Sequence, residues 1–257
     1  NDAASEQALC EGAHTVIHMA GLTTARTRAD YAGVNSEAVG RLAAAAAQSG
    51  VSRFIYLSSM AAREPQLSGY AWSKREGEAH LSTHKGNMKT VIVRAPAVIG
   101  AGDKATAPIN ALITKGWLPT PGGRHWRARK LSLIHVDDLA GFLAGPCLAG
   151  RHDGLVLSPS TRASLTWPEF ASESATALGQ SVRPLLLPLS LLYPAASITS
   201  VLKAATGRGH LTLEKLREFL HEDWSAPAEF QIGDGLQSAI KKTIKDGLLT
   251  HAESNDE

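Results

Sequence analysis

The chain has 257 residues, of which 44% are hydrophobic and 19% are charged, a composition typical of a globular protein. Its 26 Lys and Arg residues and 24 Asp and Glu residues leave a formal charge of +2, which does not indicate nucleic acid as a partner. Cys10 and Cys147 are too few for a disulfide framework or a zinc cluster, so we expect a reducing, cytoplasmic compartment. The longest apolar run, residues 185–196, contains two prolines and is too short to predict a membrane span.

The first part of the chain alternates between short apolar runs rich in β-branched residues and longer segments rich in helix-forming residues. The short runs predict buried strands at 15–19, 54–57 and 90–93, and the longer segments predict helices at 34–49 and 70–84. Apolar strands that alternate with helices of this length are typical of a parallel sheet with helices on both faces. The sequence therefore predicts an α/β fold.

Beyond Arg94 the pattern is less regular and becomes mostly helical. We predict a short helix after Pro108, a loop at 118–123, a strand-to-helix segment at 134–144, a late strand at 155–157, and helices at 167–178, 189–205, 212–220 and 235–247. The predicted organisation is one α/β domain over residues 1–160, a smaller helical lobe over 161–250 with segments from 100–130, and a tail at 251–257.

Tyr70 and Lys74 lie four residues apart in one predicted helix, so their side chains share a helix face. A tyrosine is a poor acid or base at neutral pH because its ordinary pKa is about 10, and an ammonium group held beside it lowers that pKa. Ser58 and Ser59 follow the predicted strand 54–57, at the sheet edge where open α/β folds bind ligands. Together these residues predict acid–base chemistry between a hydroxyl and a carbonyl group. The Tyr–Lys spacing alone is also compatible with a solvated helix face.

Further motifs occur in order along the chain. They are His14–Gly21, Val34–Asn35 with the alanine tract 43–47, Ser52–Ser59, Tyr70–Lys74, Arg94–Asp103 and Ile134–Ala140. In this order and spacing they resemble the extended short-chain dehydrogenase/reductases, the NAD-dependent epimerase/dehydratase and 3-beta-hydroxysteroid-dehydrogenase-like group. The resemblance covers residues 2–138, and more loosely the chain up to 249. It implies a Rossmann-type, doubly wound parallel sheet that binds NAD or NADP, with a smaller, mostly helical C-terminal substrate lobe.

The resemblance also implies a set of site residues. Tyr70 would be the catalytic acid–base, Lys74 would lower its pKa and hold the nicotinamide ribose, and Ser59 would orient the substrate oxygen. Hydride would pass between the nicotinamide ring and the substrate carbon. The implied cofactor contacts are Ala20, Gly21, Ser58, Tyr70, Lys74, Ala95, Pro96, Ala97 and Val98.

The chain departs from the family pattern at its start, where the opening strand, the glycine-rich phosphate loop and the second strand are missing. We therefore expect an N-terminally incomplete domain, a fragment of a full-length enzyme that binds a dinucleotide poorly in this form. A shortened, inactive relative is the alternative. Gly100–Ala105 imitates a Gly-x-Gly-x-x-Ala fingerprint, but it follows Tyr70 and Lys74 and opens no βαβ unit, so we do not predict a phosphate loop there.

Two other departures concern the substrate. The segment between Ser59 and Tyr70 is shorter than in most sugar-nucleotide members of the family. Met60 and Ala61 stand where the family's dehydratases carry an Asp–Glu pair, so we do not expect dehydration. The expected substrate is a small molecule, either a sugar nucleotide epimerised through a transient ketone or an apolar alcohol or ketone. The short segment and the apolar run 185–192 favour the second.

Three features have interpretations that the sequence leaves open. The ten histidines are accompanied by only two cysteines, too few for a zinc cluster, so no metal site is predicted. The basic run 124–130 is either a phosphate-binding loop or a solvated surface. For residues 185–193, packing within the helical lobe is favoured over a cap on an apolar substrate or a contact with a membrane.

A non-catalytic binding or assembly subunit that keeps the fold is the competing function. The presence of Ser59, Tyr70 and Lys74 together argues against it, because a decayed site need not keep all three. The resemblance further implies a homodimer formed through the helices 34–49 and 70–84.

Overall fold

The structure, a computed structural model, describes residues 3–101, 106–147, 149–206 and 211–253. The chain divides into two compact units. The first contains residues 1–95, 141–158 and 200–209, and the second contains residues 96–140, 159–199 and 210–257. Positions 102–105 of the glycine-containing segment, and positions 254–257 of the predicted tail, lie outside the described residues.

Helices and strands are interspersed through most of the described residues, and three helices follow the last strand. The strands are β1 (Thr15–His18), β2 (Arg53–Ser59), β3 (Lys89–Ala95), β4 (Ala97–Ile99), β5 (Trp117–Pro121), β6 (Lys130–His135), β7 (Val156–Leu157), β8 (Arg162–Thr166) and β9 (Arg183–Leu187). The helices are α1 (Ala3–Cys10), α2 (Arg28–Ala32), α3 (Ala38–Gln48), α4 (Gly69–His84), α5 (Ala107–Ile113), α6 (Val136–Ala144), α7 (Trp167–Leu178), α8 (Leu189–Thr206), α9 (Leu213–Leu220) and α10 (Leu236–Glu253).

A parallel sheet lies at the centre of the first unit and confirms the predicted α/β fold. Its strand order is β1-β2-β3-β7, and every pairing in it is parallel. Phe54 and Tyr56 of β2 are fully buried, as expected for the inner strand of a covered parallel sheet. They pack with residues of α1, α3 and α4, where the small side chains of Ala43 and Ala46 let α3 approach closely.

The predicted helix 34–49 differs from expectation at its start. Residues Gly33–Glu37 form a π-helical turn, and regular α3 begins only at Ala38. Asn35 lies within this turn with its side chain fully buried. Asparagine has low intrinsic helix propensity because its amide competes for backbone hydrogen bonds, and single π-turns inside helices occur often at functional sites.

The second unit is built on a three-stranded sheet of order β4-β6-β8, in which β4 and β6 are parallel and β6 and β8 are antiparallel. Helices α7 and α10 pack on each other, and Leu133, Leu165 and Phe170 belong to the same core. The limits of α7 agree with the sequence prediction. Thr166 and Glu169 form a capping box at its start, and Gly179 ends it in the left-handed conformation.

Two predictions in the second unit are wrong. The predicted loop 118–123 is largely strand β5, and residues 183–187, for which no strand is predicted, form β9. The two strands pair in parallel, with Trp117 opposite Arg183 and Pro121 opposite Leu187. Three prolines within these strands made the segments resemble loops. A two-stranded sheet tolerates them because each strand has a free edge that needs no N–H donor.

Gly77 lies in the middle of α4, against β2 and the π-helical turn. A Cβ atom there would lie 2.3 Å from the Asn35 backbone oxygen and 2.5 Å from the Tyr56 hydroxyl oxygen. We expect Gly77→Ala to lower the free energy of unfolding by about 1–3 kcal/mol, measured by urea denaturation. The control is Gly141→Ala in α6, where a Cβ meets nothing within 4 Å and a gain of up to about 1 kcal/mol is expected. Equal effects of the two substitutions would contradict this account.

Candidate active site

The carboxyl end of β2 carries the two predicted serines, and the structure gives them different surroundings. Successive side chains on a strand point to opposite faces of the sheet. The Ser58 hydroxyl is buried and donates to Glu78 Oε1 at 2.7 Å. Ser59 is half-buried and caps the 3-10 helix Met60–Arg63, where its Oγ accepts from the Ala61 N–H at 3.2 Å. The hydroxyl hydrogen of Ser59 is not used by that contact, since Oγ acts in it as an acceptor.

Lys74 occupies the second turn of α4 and is 5% exposed. Its Nζ donates to the Leu57 backbone oxygen at 2.9 Å and lies 5.1 Å from the centre of the Tyr56 ring. Burial lowers the pKa of Lys74 to about 8, against the opposing effect of the Glu78 carboxylate. The ammonium group has three hydrogens, so donors are left for a further partner.

Tyr70 lies one helical turn before Lys74, in the first turn of α4. The helix begins after Ser68, whose Oγ accepts from the Ala71 N–H at 2.9 Å and so fixes this end of the helix. The Tyr70 ring is half-buried, with its centre 6.4 Å from that of the Tyr31 ring. The sequence-predicted pair is therefore held on one face of a capped, well-packed helix.

Tyr56 also lies close to Lys74, and its environment differs from that of Tyr70. Burial raises the pKa of Tyr56, and the charges of Glu78 and Tyr70 raise it further. Its hydroxyl donates to the Asn35 backbone oxygen at 3.0 Å. Tyr56 therefore stays protonated, and its hydroxyl is already used in a hydrogen bond within the core. Tyr70 is the better candidate for the acid–base.

Asn35 joins the loop after β1 to helix α4. Its Oδ1 accepts from the Leu22 N–H at 2.7 Å, and its Nδ2 donates to the Leu22 oxygen at 2.8 Å and to Ser73 Oγ at 3.0 Å. The Ser73 hydroxyl in turn donates to the Tyr70 backbone oxygen at 2.8 Å. Sequence reasoning noted Asn35 only as part of a motif. An amide inside a predicted helix was the signal that could have assigned it a structural role.

Glu78 forms a buried ion pair behind Lys74. Its two carboxylate oxygens accept from Arg94 Nε at 2.8 Å and Arg94 Nη2 at 2.6 Å, and it also receives the Ser58 hydroxyl. The carboxylate raises the pKa of Arg94. Sequence reasoning missed this pair, although Glu78 follows Tyr70 and Lys74 at the same four-residue spacing on one helix face.

The other predicted cofactor contacts are divided between the two units, with Ala20, Gly21 and Ala95 in the first. Ala20 and Gly21 are exposed in the segment after β1, and a Cβ atom on Gly21 would lie 3.1 Å from both Lys74 Nζ and Asn35 Oδ1. Ala95 ends β3 directly beside Ser59 in the sheet register. The remaining three, Pro96, Ala97 and Val98, belong to the second unit, where Ala97 and Val98 begin β4.

Neither a metal-binding cluster nor a membrane-spanning helix is observed in the part of the chain that the structure describes. No group of three or more His, Cys, Asp or Glu residues is placed to hold a metal ion. Within the same residues, no helix combines the length and the apolar character needed to cross a bilayer.

A parallel sheet with serines at the end of its inner strand, beside a helix that carries Tyr and Lys one turn apart, is the arrangement that the resemblance to the extended short-chain dehydrogenases implies. The sequence model of the NAD dependent epimerase/dehydratase family matches residues 1–144. The chain belongs to this family and is an NAD(P)-dependent oxidoreductase or epimerase of the extended short-chain dehydrogenase type.

Relatives and solved structures agree with this membership. A ceramide reductase of Caulobacter vibrioides is 34% identical over 232 residues, covering 90% of this chain and 71% of the relative. A UDP-glucose 4-epimerase of Vibrio cholerae is 27% identical over 224 residues, covering 79% of this chain and 67% of the relative. The solved structure of MoeE5 in complex with UDP-glucose and NAD superimposes with a TM-score of 0.68 at 18% identity, covering 98% of this chain and 85% of MoeE5. The structural match shows that the fold is shared.

Proposed function

We propose that Ser59, Tyr70 and Lys74 form the catalytic centre of an NAD(P)-dependent reductase that acts on a ketone, or in reverse on a secondary alcohol, of an apolar substrate. The observation that carries the proposal is the buried Lys74 ammonium group, held by the Leu57 oxygen one helical turn after Tyr70. Such a cation favours the phenolate form of a neighbouring tyrosine and so suits it for proton transfer near neutral pH.

The residues present fit the nicotinamide end of the cofactor. Gly21 has no side chain, and a Cβ atom in its place would crowd Lys74 Nζ and Asn35 Oδ1. Lys74 keeps hydrogens for the ribose hydroxyls, and Ala20, Ser58 and Ala95 to Val98 are carried over from the resemblance as further contacts. When bound, the nicotinamide ring supplies or accepts the hydride.

Each catalytic residue then has one task in the reduction. Tyr70 donates its phenolic proton to the ketone oxygen as that oxygen gains charge. Ser59 donates a hydrogen bond to the same oxygen and keeps its hydrogen, since its Oγ accepts from the Ala61 N–H and leaves the hydroxyl hydrogen available to the substrate. Lys74 stabilises the phenolate that remains.

Two features support an apolar substrate. The segment between Ser59 and Tyr70 is short, as a 3-10 helix followed by a brief loop, and the relative with 34% identity is named a ceramide reductase. A second candidate is epimerisation of a sugar nucleotide through a transient ketone. It is favoured by the relative named UDP-glucose 4-epimerase and by the exposed basic residues Arg124 and Arg127, which suit a diphosphate.

Turnover of defined substrates separates the two candidates. The protein expressed from its complete gene is mixed with NADH or NADPH and a long-chain keto amide of the ceramide type, and cofactor oxidation is followed by absorbance. We expect oxidation that depends on the keto lipid, and no conversion of UDP-glucose to UDP-galactose. Epimerisation without lipid reduction would overturn the proposed substrate class, and absence of both reactions would overturn the proposed centre.

The pKa of Lys74 predicts a pH effect on cofactor binding. Because Lys74 loses its proton at about pH 8, we expect NAD(P)H affinity to fall as the pH rises through that value. Lys74→Arg, which stays charged, is expected to bind more weakly but with a flat pH dependence; fluorescence titration measures both. If the cofactor affinities of the wild type and of Lys74→Arg depend on pH in the same way, the assignment of this pKa to Lys74 is wrong.

The stability of the fold changes with pH in the opposite direction. The pKa of Lys74 is 10.5 in the unfolded chain and about 8 in the folded protein, so the free energy of unfolding increases with pH between these values.

Location and assembly are proposed on separate grounds. The free, buried thiols of Cys10 and Cys147 support a reducing, cytoplasmic compartment, where buried cysteines persist unpaired. A homodimer through the helices 34–49 and 70–84 is carried over from the resemblance. Sedimentation equilibrium of the complete gene product tests it, with a monomer at all concentrations as the contrary outcome.

A further inference from the structure

Lys203 lies in the last turn of α8, in the part of that helix that belongs to the first unit. Its side chain is 8% exposed, and Lys74 and Lys203 are the only buried lysines among the described residues. The helix dipole favours a cation in this turn, but a long lysine side chain can meet that preference with its ammonium group in water. The dipole therefore does not account for the burial of Lys203.

The ammonium group of Lys203 has few partners for a buried charge. Its Nζ donates to the Tyr31 hydroxyl oxygen at 3.4 Å, and Lys203 forms no other hydrogen bond or ion pair with the described residues. Lys74, by comparison, donates to a backbone oxygen at 2.9 Å and is stabilised as a cation by the Glu78 carboxylate. An ammonium group has three hydrogens, and burying them without acceptors is costly. Lys203 therefore has hydrogens that a ligand can use.

The position of Lys203 connects it to the candidate active site, and all the residues concerned belong to the first unit. Its Nζ lies 5.5 Å from the centre of the Tyr31 ring, and that ring lies 6.4 Å, centre to centre, from the Tyr70 ring. The Tyr31 hydroxyl also donates to the Thr23 oxygen at 3.4 Å, in the segment after β1. Each buried lysine thus lies beside one of two neighbouring tyrosines, Lys74 one helical turn after Tyr70 and Lys203 bonded to Tyr31.

We propose that Lys203 determines substrate specificity by donating a hydrogen bond to a second oxygen atom of the substrate, beside the ketone that Tyr70 protonates. Amide and carboxylate oxygens both accept from an ammonium group, and the amide oxygen of a keto amide of the ceramide type has this place. Burial of the ammonium group strengthens such a bond, because less water competes for it. The inference rests on the proposed function and adds a polar requirement to the apolar substrate class.

Reduction of two matched ketones by the complete gene product tests the proposal. One is a medium-chain keto amide, the other has methylene groups in place of the amide, and cofactor oxidation gives kcat and KM for each. We expect the wild type to prefer the keto amide. Lys203→Met is expected to lower kcat/KM for the keto amide roughly tenfold or more, mainly through KM, with little change for the plain ketone. Methionine keeps most of the buried stem, so this variant is expected to fold, as checked by its melting temperature.

Further variants and a further substrate define the contact. Lys203→Gln, which keeps hydrogen-bond donors without the charge, is expected to retain part of the preference for the keto amide. A matched keto carboxylate identifies the oxygen, because the substrate that loses more in Lys203→Met carries the oxygen that Lys203 binds. The matched control is Lys89→Met, at an exposed lysine of β3 in the same unit, which is expected to keep the wild-type preference.

Equal losses in Lys203→Met with all the ketones would overturn the proposal, because a residue that only holds Tyr31 and the fold affects every substrate alike. An unchanged preference in Lys203→Met, or a wild type without any preference, would overturn it as well. If the wild type reduces no ketone, the proposed function fails, and calorimetry with the corresponding hydroxy amide decides on Lys203 separately. Binding that Lys203→Met weakens supports the oxygen site, and binding that it leaves unchanged, or no binding, contradicts it.

Discussion

Tyr70→Phe is expected to lower kcat by roughly 10²- to 10⁴-fold, because it removes the only proposed proton donor while keeping the ring. The cofactor affinity is expected to change far less than kcat, since Lys74 and its bond to the Leu57 oxygen are untouched. The measurement is steady-state reduction of the keto lipid, together with NAD(P)H titration of the same variant.

Tyr31→Phe is the matched control for this experiment. Tyr31 is a buried tyrosine whose ring lies 6.4 Å from that of Tyr70, and its hydroxyl bonds the Thr23 oxygen and Lys203. Removing that hydroxyl is expected to change kcat far less than removing the Tyr70 hydroxyl. If both variants lose activity equally, or if Tyr70→Phe keeps most of its activity, Tyr70 is not the acid–base.

Glu78→Leu is expected to lower the free energy of unfolding by about 3–5 kcal/mol, because it leaves the mostly buried Arg94 guanidinium without its partner. The double variant Glu78→Leu/Arg94→Leu is expected to recover most of this loss, since apolar pairs of similar volume often replace buried ion pairs at little cost. Urea denaturation followed by circular dichroism measures both. Glu76→Gln, on the same helix, is the control and is expected to change stability by less than about 0.5 kcal/mol.

The ion pair also has a functional signature. The Glu78 carboxylate raises the pKa of Lys74 against the effect of burial. Glu78→Gln is therefore expected to move the loss of cofactor affinity to a lower pH than in the wild type. An unchanged pH profile in a folded Glu78→Gln protein would show that Glu78 stabilises the fold without acting on Lys74.

The strand–helix alternation could be predicted because it depends on local periodicity. The apolar runs ending at Leu57 and Val93 and the alanine tract 43–47 each carry their own signal, and the parallel sheet follows from their order. The prediction was wrong for β5 and β9, because Pro119, Pro121 and Pro184 are read locally as chain breakers. Whether a missing N–H matters depends on which strand lies opposite.

The candidate site divides in a similar way. The four-residue spacing of Tyr70 and Lys74 places both on one helix face wherever the helix packs. The sequence could not distinguish the roles of Ser58 and Ser59, which are adjacent and chemically identical. The two serines differ only in their hydrogen-bond partners in the folded protein. Ser58 donates to Glu78, and Ser59 accepts from the Ala61 N–H.

The sequence by itself thus determined the fold class, the family and the spacing of the proposed catalytic pair, because these depend on residue type and on separation along the chain. The tertiary structure decided the burial of Lys74, the ion pair behind it, and the link from Asn35 to helix α4. Each of these depends on residues distant in sequence: Glu78 lies 16 residues from Arg94, and Asn35 lies 38 residues from Ser73. Contacts of this kind arise only when the sheet and helices are packed together, so no local pattern reports them.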